Sequence, residues 1–398
     1  MKKLILNIAV AAILLAGCGR ENSSPFCVSD DLYDPSDTSA LGLGKAPGTE
    51  TFTVFRAGEG TDHFSHGAVL AAFKGRLYCM WQSSAEDEDT PDTWTACCTS
   101  EDGGRTWSEP TVLCPSPEGD AYATAGGWNV CVDEIIAYIN VFTQKNAVGH
   151  VLWTSSKDGL HWSEPQDLLM ADGSRMDAII EQDIHVLPGG RLLTAAHRTP
   201  GMAVCPVYTD DPTGKGGWQY ADFRCTPMAK SSRELEPSLY LKRDGTVVMM
   251  FRDQGSSFRK LAAQSIDGGV TWTEAVLTNV PDSRAKQSAG NLPDGTAFFV
   301  SNPVACKNRY PLALTLSRDG TLFDRAFLLR GADELPPVRY PAGGKHRPGF
   351  SYPKSLVHDG WLYVVYAVNK QDIECTRVPV KALDTPVKEW LRAIYTKR

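Results

Sequence analysis

The sequence predicts an all-β chain folded as a six-bladed propeller, and three observations predict it. A turn motif recurs at a nearly constant interval. Ser100-Glu101-Asp102-Gly103-Gly104-Arg105-Thr106-Trp107 returns as Ser265-Ile266-Asp267-Gly268-Gly269-Val270-Thr271-Trp272, with a shorter copy at Ser156-Lys157-Asp158-Gly159-Leu160-His161-Trp162. With degenerate copies at Thr209 and Ser317, the starts lie 56, 53, 56 and 52 residues apart, a period typical of blades or solenoid units. The composition agrees: 35 glycines, 25 prolines and 10 tryptophans among 398 residues suit many short strands joined by turns. Finally, a glycine turn recurs within the units, at Gly75, Gly190, Gly245, Gly295 and Gly360, as expected of a repeated inner hairpin.

Each element of the motif has a physical role. Aspartate accepts backbone N–H groups, glycine takes positive φ, and tryptophan packs back between strands. Roughly 330 residues at this period make six blades of four strands. The sixth, around Gly349 to Pro379, carries no copy of the motif. The strand Thr51 to Phe55 is placed to complete it and close the ring, which removes an open sheet edge.

The hairpins can be superposed on their glycines. Nine residues before the turns stand His66, Glu181, Glu236, Lys286 and Ser351, the last beside Tyr352. Seven residues after them stand Gln82, His197, Arg252, Asn302 and Ala367. The chain passes down one strand and up the next, so both sets belong at one end of the central channel. They are largely ionisable while the strands between are apolar, as in Val247-Val248-Met249-Met250. This ring is the expected functional mouth. The second unit has no clear glycine turn and is not registered by this reasoning.

The ends of the chain read differently. Lys2 and Lys3, the apolar run Leu4 to Ala16, and Leu15-Ala16-Gly17-Cys18 read as a lipoprotein leader over residues 1–17 with Cys18 as the lipidated residue. Residues 18–50 read as a lipid-anchored tether, 51–380 as the propeller and 381–398 as a tail with a short helix near Lys388. The expected location is the cell envelope, with membrane contact only through the lipid. Ten further cysteines remain. An oxidising compartment permits pairing, but most read as small buried residues, Cys97 and Cys98 facing opposite sides of one strand. The balance of 40 Lys+Arg against 47 Asp+Glu, net −7, argues against nucleic-acid binding. No cofactor motif and no metal site are expected; His63 and His66 lack a third ligand nearby in sequence.

These residues together resemble the bacterial sialidase family over nearly the whole chain after the leader. The resemblance rests on the recurring turn, which is that family's Asp box, and on Glu236-Pro-Ser-Leu-Tyr-Leu-Lys-Arg-Asp244-Gly245 followed by Arg252. It also rests on Arg309, eight residues before Ser317, and on Tyr352 in Gly349-Phe-Ser-Tyr-Pro. It implies Tyr352 as nucleophile, Glu236 as its partner carboxylate, and Arg252 and Arg309 as two of three arginines holding a substrate carboxylate. A separate acid must protonate the leaving oxygen. Asp89 and Asp92, in the acidic loop before the first box, are the candidates; Asp92 stands at the register of Arg309. Glu181, His197 and Lys286 are further candidates for substrate contact.

The sequence departs from the family at one third of the clamp. Phe64-Ser65-His66-Gly67 stands where the family has an Arg-Ile-Pro motif. Lys286, Lys345 and His346 are candidates to replace the missing cation, and His66 is itself an acid/base candidate. Three functions stay open at this point. One is an exo-acting retaining glycosidase releasing a terminal sialic or related acidic sugar. Another is a uronic-acid lyase or hydrolase using His66, His197 and Tyr352. The third is a propeller that only binds glycans.

Overall fold

The computed structural model describes residues 23–143, 147–182, 184–341 and 347–384. The expected leader, Cys18, Lys345, His346 and the expected helix near Lys388 lie outside the described residues. The fold is a six-bladed β-propeller, each blade an antiparallel meander of four principal strands. Blade 1 runs from Phe64 to Cys114, blade 2 from Ala121 to Asp167, blade 3 from Ala178 to Tyr220, blade 4 from Glu234 to Pro281 and blade 5 from Ser288 to Arg330. Blade 6 takes three strands from Phe350 to Pro379 and its fourth, Glu50–Phe55, from the other end of the chain. Thr51 pairs with Thr376 and Phe52 with Cys375, so the ring closes as the pattern predicts.

The Asp boxes join third to fourth strands. In blade 1, Asp102 Oδ1 accepts from Arg105 N and Thr106 N at 2.9 Å, and Trp107 Nε1 donates to Gly104 O at 3.0 Å. The same bonds recur around Asp267 and Trp272. The degenerate third copy still turns, with Trp218 Nε1 donating to Gly214 O at 2.9 Å. Blade 6 has no box because its fourth strand does not follow its third, so there is no such turn to make.

The boxes also fasten neighbouring blades. Arg377 of blade 6 donates to Gly103 O, Tyr138 of blade 2 to Gly214 O, and Tyr240 of blade 4 to Gly320 O. At Gly159 (φ +76°) a Cβ would lie 1.8 Å from the Tyr78 hydroxyl oxygen of blade 1. Glycine is therefore required there by contact as well as by dihedral angle. Between blades the core is a series of apolar layers. Cys97 and Cys98 fall in different layers, facing opposite sides of their strand as expected. The ten cysteines in the described residues are all unpaired, and six of them are buried.

The expected tether is corrected by the structure from Ser24 to Gly48. Cys27–Val28 forms a parallel pair with Leu322–Phe323. Phe26 is 1% exposed, against Tyr240, Phe299 and Phe323 with ring centroids 5.4–6.3 Å away. The Tyr33 hydroxyl lies 2.6 Å from Thr315 Oγ1, and Ala46 joins the core between blades 5 and 6. The segment is a strap leading from blade 4 to the closing strand. Its polar composition hid a few widely spaced apolar residues, and burial of those residues outweighs the cost of ordering the chain. Phe26→Ala should therefore destabilise the fold by about 3–5 kcal/mol, read by urea unfolding; an unchanged midpoint would restore the tether.

Candidate active site

The inner strands are bent where they reach the mouth. The strand register shifts between His66 and Val69 in blade 1, Ala125 and Gly127 in blade 2, Leu235 and Ser238 in blade 4, and Ser351 and Lys354 in blade 6. These bulges place Glu236 at φ +50° and Tyr352 at φ +56°, a region that few residues with a side chain adopt. Such backbone re-aims a side chain off the strand, here onto the axis. Blade 2, unregistered from sequence, has Gly126 and Gly127 at its bulge. It offers no side chain there, because a Cβ on Gly127 would meet the Gln182 backbone at 2.9 Å.

Tyr352 and Glu236, from blades 6 and 4, meet directly, the Tyr352 hydroxyl donating to Glu236 Oε1. Arg252 binds both. Its Nη1 donates to Glu236 Oε2 at 3.0 Å and to Tyr352 Oη at 3.2 Å, while its Nη2 donates to Gln254 Oε1 at 2.9 Å. Arg309 lies with its guanidinium carbon 5.0 Å from the Tyr352 ring centroid and donates to Ser351 Oγ at 3.2 Å. Lys286 Nζ is 5.2 Å from the same centroid, and the His66 ring is 4.2 Å from it.

A second layer supports this cluster. Glu181 bridges His197 Nδ1 at 3.2 Å and Lys286 Nζ at 3.0 Å. The backbone N–H of Glu236 donates to His197 Nε2 at 3.4 Å, so the His197 proton sits on Nδ1, toward Glu181. Gln182 donates to Gly67 O and accepts from Lys286 Nζ, and it also lines an axial cavity of about 440 Å³. Gln287 donates to Glu236 O at 2.8 Å and fixes that bulge from blade 5.

The charges follow from this packing. Burial alone would raise the Glu236 carboxyl, but Arg252, Lys286 and the Tyr352 hydrogen bond outweigh it and hold the group at about 2. Burial, reinforced by the Glu236 charge, pushes the Tyr352 phenol well up against the pull of Arg252 and Arg309. The resting pair is therefore a neutral phenol and a carboxylate. Burial pushes the His66 imidazole well down, and Lys370, Arg309, Lys286 and Arg347 add to that. Burial also lowers His197, against Glu181 and Glu236.

The family model described as "BNR repeat-like domain" matches residues 75–364. The chain belongs to the BNR repeat-like family. Among solved structures it is similar to a protein named only as a sialidase, with 20% identity and a TM-score of 0.58 over 90% of this chain and 35% of the other. It therefore spans about a third of that sialidase's length. It is also similar to the Ruminococcus gnavus intramolecular trans-sialidase in complex with oseltamivir carboxylate (14% identity, 87% and 100% covered, TM-score 0.62). A third is the Trypanosoma rangeli sialidase in complex with 2,3-difluorosialic acid, described as a covalent intermediate (17% identity, 88% and 62% covered, TM-score 0.63). No curated protein matches the chain. At these identities the solved structures establish a shared propeller fold.

In this BNR repeat-like chain the structure brings Tyr352, Glu236, Arg252, His66, Lys286, Glu181 and His197, which the hairpin register places at one end of the channel, into one cluster with Arg309, which came from the family resemblance and not from that register. Asn302 is at the same register but holds backbone, donating to Pro311 O and Phe350 O. The acidic loop behaves differently from its register. Asp92 is exposed and accepts from Ala85 N at 2.8 Å, fastening its own loop, and Asp89 occupies a turn with φ +61°. The loop carboxylate facing His66 is Glu88, with Oε1 3.8 Å from His66 Nε2 and Oε2 2.7 Å from Lys370 Nζ. Sequence reasoning did not single out Glu88, Gln254 or Arg284, which donates to Gln254 Oε1 at 2.9 Å. The only available signal was that Arg284 stands two residues before the ring position Lys286. His63 stacks flat on Tyr340, centroids 3.8 Å apart. Among the described residues no three His, Cys, Asp or Glu side chains are grouped to hold a metal ion.

Glu236→Gln removes the charge while keeping the shape. At pH 7 it should cost about 1–3 kcal/mol of stability, because Arg252 loses its carboxylate. The parent's advantage is complete above the ordinary carboxyl value of 4.5 and disappears as pH falls toward about 2. Denaturant unfolding of both chains at stepped pH reads this; a gap independent of pH would contradict it.

Proposed function

We propose that the protein is an exo-acting retaining glycosidase that releases a terminal sialic or related acidic sugar from a glycan. The observation that carries the reading is the triple contact of Tyr352, Glu236 and Arg252. A phenol is a poor nucleophile while protonated. Here its proton already points at a carboxylate, and moving it across leaves the charge of the pair unchanged. Arg252 touches both oxygens and stabilises that charge on either side. A neutral nucleophile suits an anomeric carbon that already bears a carboxylate, which would repel an attacking anion.

In the proposed reaction Tyr352 Oη bonds to the anomeric carbon as the glycosidic C–O bond breaks, and its proton passes to Glu236. The leaving oxygen takes a proton from the acidic loop, for which Asp89 is the proposed donor, because Asp92 is exposed and fastens its own loop. Water then attacks the anomeric carbon, gives its proton back to the same loop acid, and frees Tyr352, which recovers its proton from Glu236. Arg252 and Arg309 hold the sugar carboxylate, and Glu181 with His197 keeps Lys286 and Glu236 in place. The solved Trypanosoma rangeli relative, described as a covalent intermediate with a sialic acid derivative, supports this reading. The leader and Cys18 support a lipid-anchored protein of the cell envelope.

A fluorogenic sialoside tests the activity. Tyr352→Phe should lower turnover on the order of 10³-fold or more with folding intact. Sugar binding without turnover by the parent would leave a glycan-binding propeller instead. Arg309 does not contact Glu236 in the hydrogen-bond network, so Arg309→Ala isolates the clamp. It should weaken acidic sugars about tenfold or more and leave neutral ones unchanged, as read by calorimetry; equal effects on both would refute the role.

A further inference from the structure

The side chain at the position of the missing arginine has no hydrogen-bond partner among the described residues. His66 is 1% exposed, and neither ring nitrogen makes a hydrogen bond among the described residues. The closest carboxylate, Glu88, is 3.8 Å from Nε2 and is taken up by Lys370 at 2.7 Å. A buried polar group left unmatched is costly, and the ring lies against Tyr352 with centroids 4.2 Å apart. The unmatched edge therefore belongs to whatever docks on the tyrosine.

The surroundings define the kind of group that fits. Facing the ring are Phe64 from its own strand, Glu88 from the acidic loop, Tyr352 and Lys370 from blade 6, Lys286 and Arg309 from the blade 5 side, and Arg347. Four of these are cations, and they oppose a fifth positive charge on the imidazole. A neutral imidazole presents one donor and one acceptor, whereas a guanidinium presents donors only. A carboxylate accepts only and matches the guanidinium; a hydroxyl donates and accepts and matches the imidazole.

We propose that His66 is a specificity-determining residue that hydrogen-bonds one uncharged hydroxyl of the docked acidic sugar, at the place where an arginine would hold its carboxylate. This rests on the acidic-sugar reading of the mouth. The carboxylate is then left to Arg252 and Arg309, and the site discriminates among acidic sugars by one hydroxyl.

The test begins with the parent chain and four probes, N-acetylneuraminate, 3-deoxy-octulosonate, glucuronate and galacturonate, titrated by calorimetry. If none binds, the acidic-sugar reading falls and this proposal with it. Monodeoxy analogues of a sugar that binds are then titrated. One analogue should bind about three- to tenfold more weakly, the scale of one neutral hydrogen bond. That penalty should vanish in His66→Phe and persist in His66→Gln, which keeps a donor and an acceptor. If every monodeoxy analogue binds like its parent sugar, the proposal is overturned while the acidic-sugar reading stands, and no variant needs to fold for that result. The proposal is equally overturned if His66→Phe discriminates as the parent does, or if His66→Gln loses discrimination as fully as His66→Phe.

Discussion

The hydrogen bond from Tyr352 to Glu236 joins residues 116 positions apart, and everything proposed for the mouth depends on it. It exists because two inner strands bend at the same height. A regular strand would alternate its side chains between the two faces of the blade. The bulges at Leu235/Ser238 and Ser351/Lys354 break that alternation and put both residues in left-handed backbone. The strained conformations persist because neighbouring blades hold them, Gln287 binding Glu236 O and Lys354 Nζ donating to Gln287 O.

The propeller supplies the stiffness this needs. Each of the first five blades turns through a box, and boxes rest on neighbouring blades. Blade 1's box meets Arg377 of the closing blade, so the chain of contacts returns to its start. The closing strand Glu50–Phe55 leaves blade 6 without an exposed third strand. The strap before it reaches across blades 4, 5 and 6, so the ends of the ring are joined by packing as well as by sheet pairing.

The electrostatics of the mouth are unbalanced by the packing around Tyr352. Cations gather from blades 4, 5 and 6, and each has a defined neighbour. Arg252 meets Glu236, Lys286 meets Glu181, Lys370 meets Glu88, and Arg309 meets a serine. Paired buried charges keep their geometry at a desolvation cost. Arg309, set against a neutral hydroxyl, is the cation among these four whose field is least cancelled by its immediate hydrogen-bond partner. His66, neutral among them, is the group least able to serve an anion.

The box motif is local, complete within eight residues, so its turn could be read directly and the blades counted. The mouth residues were legible for a related reason. Strand period and hairpin length carry Glu236, Arg252 and Tyr352 to one end of the channel whatever surrounds them. The direction of the acidic loop was not legible, because hydrogen bonds to its own backbone turned Asp92 outward and left Glu88 beside His66. Nor was the strap, whose apolar residues are too widely spaced for either strand or helix period and find their partners about 200 residues or more away. The sequence by itself determined the number of blades, the closure of the ring and which hairpin ends meet at its mouth, since these rest on short-range turns and a fixed alternation. Only the tertiary structure decided which of those groups touch, which are charged and which stand unpartnered, since contact and desolvation depend on neighbours that no local pattern encodes.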